Sequence, residues 1–259
     1  MAFKKLKLWF DKDLAIMLAD KLLVENPSFD KKKYVKHIDK VVAPLELKDR
    51  VEVMADAFVE YLGNDYTKTL PKLVAILGPE NQEETGMFNN FYWVMPIAKY
   101  IEKYGLDHLD ISLSAIEEVT KRNTGEYTIR PFIERYPEKV MKQMLKWSKD
   151  KNRHVRRLAS EGGRPRLPWA SKLDLFIDDP KPLLPILENL KNDPSKYVQK
   201  SVANCINDIL KDNLELAKEL LEKWSKGNVT KERQWIIKHS LRNLIKKEDP
   251  WALKIIEVL

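Results

Sequence analysis

The chain has few of the residues on which several common protein classes depend. Its single cysteine, Cys205, excludes an internal disulfide, and its apolar helical context predicts a small buried side chain in a reducing compartment. Its four histidines, His37, His108, His154 and His239, do not have the spacing of metal ligands. We find no P-loop, no glycine pattern of a dinucleotide site and no G-x-S-x-G motif. We therefore expect no metal and no other cofactor.

Long apolar runs are absent as well. No stretch approaches the roughly 20 apolar residues of a membrane-spanning helix. The N-terminal M-A-F-K-K-L-K-L-W-F is too short and too charged for a secretory signal. The sequence therefore predicts a cytoplasmic protein with no membrane partner, which acts at the nucleoid if its partner is DNA. A formal net charge of +7 suits a polyanionic partner without proving one, since many proteins are basic.

Helical periodicity is what the sequence has in abundance. Apolar residues recur three or four positions apart in residues 13–23, 47–62 and 92–104, and no segment alternates as a strand does. Only 8 glycines and long stretches of Lys, Glu, Leu, Ala and Ile favour helix nearly throughout. With 259 residues and 44% hydrophobic content the chain can bury a full core. We predict an all-α fold in one domain over residues 1–259.

From the middle of the chain onward a helical hairpin repeats. A hairpin that recurs at roughly 40 residues is typical of HEAT and armadillo solenoids. One hairpin cannot bury its apolar side alone, so neighbours stack and their second helices line a concave inner wall. A coincidental series of antiparallel helices is the alternative, which three related copies disfavour. The predicted hairpins pair residues 137–149 with 152–161, 182–191 with 194–211, and 214–225 with 231–247.

The most specific segment is N-R-H-V-R-R-L-A-S-E-G-G-R-P-R-L-P-W at residues 152–169. It begins as a helix and breaks at the glycine pair, so Glu161 ends the helix beside a proline-stiffened loop. That loop combines Arg164 and Arg166, which suit phosphate, with the aromatic face of Trp169. The simpler interpretation is a helix cap followed by a connector that carries solvated arginines.

Three acids fall on successive inner helices of the predicted repeats. They are Glu126 in T-G-E-Y, Glu161 in A-S-E-G and Asp208 in I-N-D-I. Any single acid among 39 is usually solvated. The aromatic and apolar residues that follow Glu126 and the apolar residues that precede Asp208, however, predict that these two lie close to packed surface.

Together these segments resemble the AlkC branch of the DNA alkylation repair glycosylases. The resemblance is strongest in H-V-R-R-x-x-S-E-G-x-R-P-R-L-P-W and continues, in the same order, through residues 91–110, 124–133, 195–209 and 235–247. It covers most of the chain after residue 85. It implies a HEAT-like solenoid that grips duplex DNA in a concave groove and excises N-alkylated bases, notably 3-methyladenine and 3-methylcytosine. Some members append an immunoglobulin-like domain, and we expect none here.

The resemblance assigns two tasks to the candidate residues. Glu126 and Glu161 are the carboxylates implied to face the lesion and its sugar, with Asp208 as a third acid in the same cleft, and all three are implied to be catalytic. The side chains implied to contact the lesion nucleotide or the DNA are Trp169, Arg157, Arg164 and Arg166. For Arg157 two roles stay open, holding the DNA backbone or orienting an acid. No lysine is singled out as a nucleophile, so we expect a monofunctional enzyme rather than a lyase.

Two other functions stay open. One is a catalytically silent member of the same superfamily that binds damaged or branched DNA, and the other is a HEAT scaffold that binds protein. The acids argue against the silent DNA binder, because a phosphate-binding surface gains nothing from carboxylates. The sequence leaves 3-methyladenine, 3-methylcytosine, 1-methyladenine and 7-methylguanine unranked as substrates. We expect a monomer, although no motif fixes the oligomeric state.

Overall fold

Every regular element in the described part of the chain is helical. The computed structural model describes residues 4–85 and 88–259, and these residues contain no β-strand. The all-α prediction is therefore confirmed. The chain divides into two compact units, one comprising Met1–Gln82 and Gly86–Thr128 and the other Glu83–Thr85 and Ile129–Leu259. The sequence predicted a single domain over residues 1–259, and the division into two units leaves this a prediction.

The first unit is built from helices that follow the predicted periodicity. Asp11, Asp30 and Asp65 start three of them, since their carboxylates accept hydrogen bonds from backbone N–H groups of the first turn. The α-helices among its described residues are α1 (Lys12–Glu25), α2 (Lys31–Val42), α3 (Leu47–Leu62), α4 (Tyr66–Ala75), α5 (Phe88–Phe91), α6 (Met95–Tyr104) and α7 (Leu109–Thr120). Short 3₁₀ helices at Leu6–Trp9 and Tyr92–Val94 precede α1 and α6. Helix α1 packs on α2 and α4, and α3 packs on α6.

A buried arginine ties irregular backbone to the first unit. Arg50 on α3 is 4% exposed and donates to the carbonyl oxygens of Leu45 at 2.8 Å, Ala43 at 2.9 Å and Phe10 at 3.1 Å. Because buried carbonyl groups need a donor, these bonds fix the segment before α1 and the connection from α2 to α3.

The second unit contains the predicted hairpins. Its α-helices are α8 (Arg130–Arg135), α9 (Pro137–Trp147), α10 (Arg153–Glu161), α11 (Asp174–Asp178), α12 (Leu184–Leu190), α13 (Lys196–Asp212), α14 (Leu214–Trp224), α15 (Lys231–Ser240), α16 (Arg242–Ile245) and α17 (Pro250–Glu257). The pairs α9 with α10, α12 with α13, and α14 with α15 correspond to the three hairpins expected from the sequence. Their second helices lie side by side, α10 against α13 and α13 against α15. Whatever these three helices expose on their shared side therefore forms one surface of this unit.

The last predicted helix, residues 231–247, is interrupted. Helix α15 ends at Ser240, and α16 begins at Arg242. The Ser240 hydroxyl donates to the Ile236 carbonyl one turn earlier at 2.8 Å, and the Asn207 amide of α13 donates to the Ser240 carbonyl at 2.8 Å. These side-chain bonds compete with the helical ladder, which explains the break that apolar spacing did not predict. The described residues include neither a helix long and apolar enough to cross a membrane nor a group of three or more His, Cys, Asp or Glu side chains placed to hold a metal ion.

Candidate active site

Helix α10 places Glu161 at its last position, as the sequence predicts. Two glycines follow it, and both are packed too closely for a side chain. A Cβ atom on Gly162 would lie 2.6 Å from Cγ2 of Ile129, and one on Gly163 would lie 2.7 Å from Cδ2 of Leu183. Gly162 keeps an ordinary right-handed φ of −63°, so the need for glycine here is one of space.

Glu161 belongs to a cluster of five charged side chains in the second unit, which we call the ion-pair cluster: Arg157, Glu161, Arg164, Asp208 and Lys211. Arg164 joins the two acids, since Nη1 donates to Oε1 of Glu161 at 2.9 Å and Nε to Oδ2 of Asp208 at 2.9 Å. Nη2 of Arg157 lies 3.4 Å from Oε1 of Glu161, and Nζ of Lys211 lies 3.0 Å from Oδ1 of Asp208. Glu161 is 5% exposed and Asp208 1%. Two predicted catalytic acids thus share one buried network.

The electrostatics of the ion-pair cluster keep Glu161 ionised. Burial alone raises its pKa, but the positive charges of Arg157 and Arg164 and hydrogen bonds from Ser201 and Arg164 outweigh burial, so the net pKa of Glu161 is lowered. For Arg164, burial lowers the pKa and the negative charges of Glu161 and Asp208 raise it, with a net rise. The two partners shift in the directions expected of a favourable pair. A lowered pKa suits a carboxylate that stabilises positive charge, and it does not suit a proton donor.

Arg164 and Arg166, both predicted to contact DNA, are instead engaged with carboxylates. Arg164 is 7% exposed and lies between its two acids. Arg166 is more exposed, yet it donates to both oxygens of Asp212, at 2.7 Å from Nε and 2.6 Å from Nη2. A guanidinium held by two carboxylate oxygens is strongly oriented and already neutralised. Both guanidinium groups therefore have internal partners in the structure, and their contacts with DNA stay a prediction. Ion pairing of this kind depends on tertiary neighbours that no local motif reveals.

Arg157 has an aromatic partner as well as an acid. Its guanidinium carbon lies 4.6 Å from the ring centroid of Tyr197 on α13, and its Nη2 reaches Glu161. The guanidinium lies over the ring face, and the Glu161 carboxylate forms an ion pair with it. Of the two roles left open by the sequence, orienting an acid is the one that this geometry favours.

Trp169 projects from the loop after α10. It is 83% exposed, and its φ of +68° lies in the left-handed region. A bulky residue in that region carries strain on the order of 1–3 kcal/mol, which the surrounding structure must impose. A strained backbone that holds a large ring in solvent is typical of a residue kept for contact with another molecule.

Arg130, which sequence reasoning did not single out, fixes both ends of that loop. It is 3% exposed, and its Nη1 donates to the carbonyl oxygens of Gly162 at 3.1 Å and Arg164 at 2.9 Å, while Nη2 donates to that of Ser171 at 2.6 Å. One guanidinium thus clamps the backbone on either side of Trp169. Arg130 lies in the motif T-I-R-P-F, and the signal that could have indicated it was an arginine flanked directly by apolar Ile129 and Pro131.

Glu126 lies in the first unit, in the turn after α7, and not on a helix as predicted. It is 8% exposed, its Oε2 accepts from the Thr124 hydroxyl at 3.1 Å, and its backbone N–H donates to that hydroxyl at 3.3 Å. A Cβ atom on Gly125 would lie 2.7 Å from Oγ1 of Thr120, so the turn packs tightly on the end of α7. The sequence predicted Glu126 on an inner helix of the repeats, but these turn contacts and the glycine hold this residue out of helix.

Comparisons with known proteins agree with this architecture. Residues 96–244 match the family described as DNA alkylation repair enzyme. The chain is 37% identical over 251 residues to the uncharacterized protein YhaZ of Bacillus subtilis (strain 168), covering 96% of this chain and 67% of that protein. It is also similar, with a TM-score of 0.88 and 34% identity, to the solved structure of Pseudomonas fluorescens alkylpurine DNA glycosylase AlkC bound to DNA containing an abasic site analog. That match covers 98% of this chain and 69% of the other, and it confirms the predicted helical-repeat fold.

Proposed function

The chain belongs to the DNA alkylation repair enzyme family, and on that premise we propose that it is a DNA glycosylase that hydrolyses the N-glycosidic bond of cationic N-alkylated bases in duplex DNA. Family membership confirms the resemblance seen in the sequence. The substrates that we propose are 3-methyladenine and 3-methylcytosine. The observation that carries the proposal is the buried, ionised Glu161 at the end of α10, next to a clamped loop that exposes Trp169.

The chemistry of the lesion explains why an ionised carboxylate is useful. N3-alkylation places a formal positive charge on the base, which weakens the glycosidic bond, so the base leaves without a proton from a general acid. What remains is to stabilise an oxocarbenium-like sugar and to position water. A carboxylate whose pKa is lowered, as that of Glu161 is, supplies negative charge and no proton. Neutral bases would need a proton donor, so this chemistry favours cationic lesions.

We propose distinct tasks for the predicted site residues. Glu161 and Glu126 are the carboxylates for the lesion and its sugar. Asp208, the third acid, contributes by holding Arg164 against Glu161. Trp169 offers its ring to the lesion nucleotide, and a cation over an indole gains on the order of 1 kcal/mol, or more when desolvated.

We further propose that the enzyme is monofunctional, with water as the nucleophile. A lyase needs an unprotonated lysine that attacks the sugar. The lysine of the ion-pair cluster, Lys211, is engaged with Asp208 at 3.0 Å. An ammonium group held in an ion pair has no lone pair available for that attack.

One observation favours a second candidate function, a silent protein that binds damaged or branched DNA. Both Glu161 and Asp208 are already neutralised by arginine, so their burial is also explained by structural ion pairs. The two functions differ in whether any base is released.

Incubation with methylated duplex DNA and chromatography of the free bases tests the proposal. We expect release of 3-methyladenine and 3-methylcytosine and abasic sites that stay unbroken until heated in alkali. Strand cleavage without alkali would indicate a lyase. Binding of the duplex with no base released above the protein-free control would contradict the proposed function and support the silent binder.

A further inference from the structure

Two sets of basic side chains in the second unit differ in the groups that lie beside them. In the first set each guanidinium faces a carboxylate: Arg157 and Arg164 face Glu161, and Arg166 binds Asp212. A DNA phosphate would have to displace a bonded carboxylate from each of these arginines. They are therefore poor sites for the backbone contacts on which duplex binding depends.

The second set lies where α13 packs against α15 and the start of α16, and its hydrogen bonds and ring contact go to neutral partners. Nζ of Lys196 lies 3.3 Å from the ring centroid of Trp235. Arg242 donates from Nη1 to the His239 carbonyl at 2.6 Å and from Nη2 to Oδ1 of Asn204 at 3.0 Å. The Trp235 and His239 rings stack, with centroids 4.6 Å apart and planes 13° apart.

An exposed lysine, Lys200, completes this set one helical turn after Lys196 on α13. Among the described residues, no carboxylate lies within 4 Å of the side-chain nitrogens of Lys196, Lys200 or Arg242. We call the surface made by Lys196, Lys200, Trp235, His239 and Arg242 the α13–α15 cationic face. It differs from the ion-pair cluster because its positive charge is not matched by adjacent acids.

The protonation equilibria of the α13–α15 cationic face agree with this imbalance. Burial and the positive charges of Arg242, Lys200 and Lys196 lower the pKa of His239. Burial lowers the pKa of Lys196, which Glu232 opposes. Burial and Arg164 lower the pKa of Arg242, which Asp208 opposes. Burial is the largest cause of each shift, and at His239 three neighbouring cations add to it, so a bound anion would relieve the positive potential at that ring.

We propose that the α13–α15 cationic face binds the phosphodiester backbone of DNA and supplies the main backbone contacts of the second unit. This inference rests on the proposed function, in that it takes DNA as the ligand. A row of separate cations beside an aromatic pair suits a polyanion that runs along the surface better than it suits one small anion. The ion-pair cluster then keeps its arginines on Glu161 and Asp208 while the α13–α15 cationic face holds the strand.

Salt-dependent binding of undamaged duplex DNA tests this assignment. We compare wild type with Lys200→Gln, Arg242→Gln and the double variant by fluorescence anisotropy of a labelled duplex over a salt series. Each lost phosphate contact should reduce the slope of log Kd against log salt by about 0.9, so the double variant should lose about 1.8 and bind at least roughly 10-fold more weakly at low salt. The matched control is Lys142→Gln, an exposed lysine on α9 with the same charge change.

The control should stay within about twofold of wild type in Kd, with an unchanged slope. The assignment is overturned if the double variant keeps the wild-type slope, or if Lys142→Gln lowers it as much. Lys200 is exposed and its removal should not unfold the protein, so that variant alone still decides the outcome if Arg242→Gln folds poorly.

The result is separable from that of the glycosylase assay because undamaged DNA offers no base to excise. If wild type releases no base but loses duplex binding in the double variant, the proposed function fails and the α13–α15 cationic face stands. If wild type excises bases and the double variant binds as wild type does, the proposed function stands and the assignment of the α13–α15 cationic face fails.

Discussion

Single residues of the second unit combine features that packing alone does not explain. Trp169 is exposed and held at φ +68°, although an indole gains most from burial and a bulky residue avoids that backbone region. Glu161 is buried and ionised, although burial penalises its charge. Taken alone, the strained Trp169 and the buried charge of Glu161 each lower folding stability. Residues that are retained for function often have such a cost.

Substitutions of Trp169 distinguish the role of its ring in substrate contact from the cost of its strained backbone. We expect Trp169→Ala to leave the melting temperature nearly unchanged, because an exposed side chain contributes little to the core, and to lower 3-methyladenine excision. Trp169→Gly should be more stable than Trp169→Ala by about 1 kcal/mol, since glycine adopts a positive φ without strain. Thermal melts and single-turnover excision measure both effects. A Trp169→Ala variant that melts far below wild type but excises normally per folded molecule would show that the ring serves packing.

For single residues, the sequence predicted little about which side chains would interact with each other. The prolines around Trp169 favoured a ring held away from the core, and its high exposure agrees with that. Nothing local indicated that Arg164 would bridge Glu161 and Asp208, because Asp208 lies 44 positions along the chain. Roles of charged residues depend on which opposite charge the fold brings near them, and that is tertiary information.

At the scale of elements, the end of α10 and the loop after it act as one assembly. The glycine pair lets the backbone pass close to α8 and its neighbours, and Arg130 then bonds that backbone on both sides of Trp169. The sequence predicted the helix, its end and the loop, but not the clamp, because a buried arginine is recognised only by the carbonyl groups around it.

Removal of the clamp should affect stability and catalysis together. We expect Arg130→Met to lower the free energy of unfolding by about 3 kcal/mol or more, since it leaves the carbonyl groups of Gly162, Arg164 and Ser171 without their donor, in two buried bonds and one part-buried bond. Excision should fall as well, because the loop that carries Trp169 loses its anchor. Urea unfolding and limited proteolysis of the loop measure this, with Lys142→Met on α9 as the exposed control. Unchanged stability together with an intact loop would remove Arg130 from this role.

Other elements show where apolar periodicity succeeds and where it fails. Helix α3 coincides with the predicted range 47–62, because sixteen residues of regular spacing leave little ambiguity. The turn at Glu126 and the break at Leu241 were missed, since each depends on side-chain bonds from another segment or on a glycine packed against a neighbouring helix. Such contacts override local propensity without changing the pattern of apolar residues.

For the whole molecule, the ion-pair cluster links stability to pH. The pKa of Glu161 is lowered on folding, so its stabilising contribution is complete above its unfolded value of about 4.5 and is lost as the pH falls through the lower folded value. We expect the stability of wild type to fall between about pH 5 and pH 3 more steeply than that of Glu161→Gln. Urea unfolding across that range measures the difference, and Glu219→Gln, an exposed acid on α14, should follow wild type. Parallel curves for wild type and Glu161→Gln would contradict the lowered pKa.

The central claim is that an ionised Glu161 stabilises the sugar as a cationic base departs. The most direct measurement is the single-turnover rate of base release from methylated duplex DNA, per folded molecule, for wild type, Glu161→Gln and the control Glu219→Gln. We predict that Glu161→Gln is at least about 10-fold slower, because an electrostatic catalytic contribution is worth that much or more, while DNA affinity holds or rises as Arg157 loses its acid. Glu219→Gln should match wild type. A rate for Glu161→Gln within about a factor of two of wild type would contradict the account.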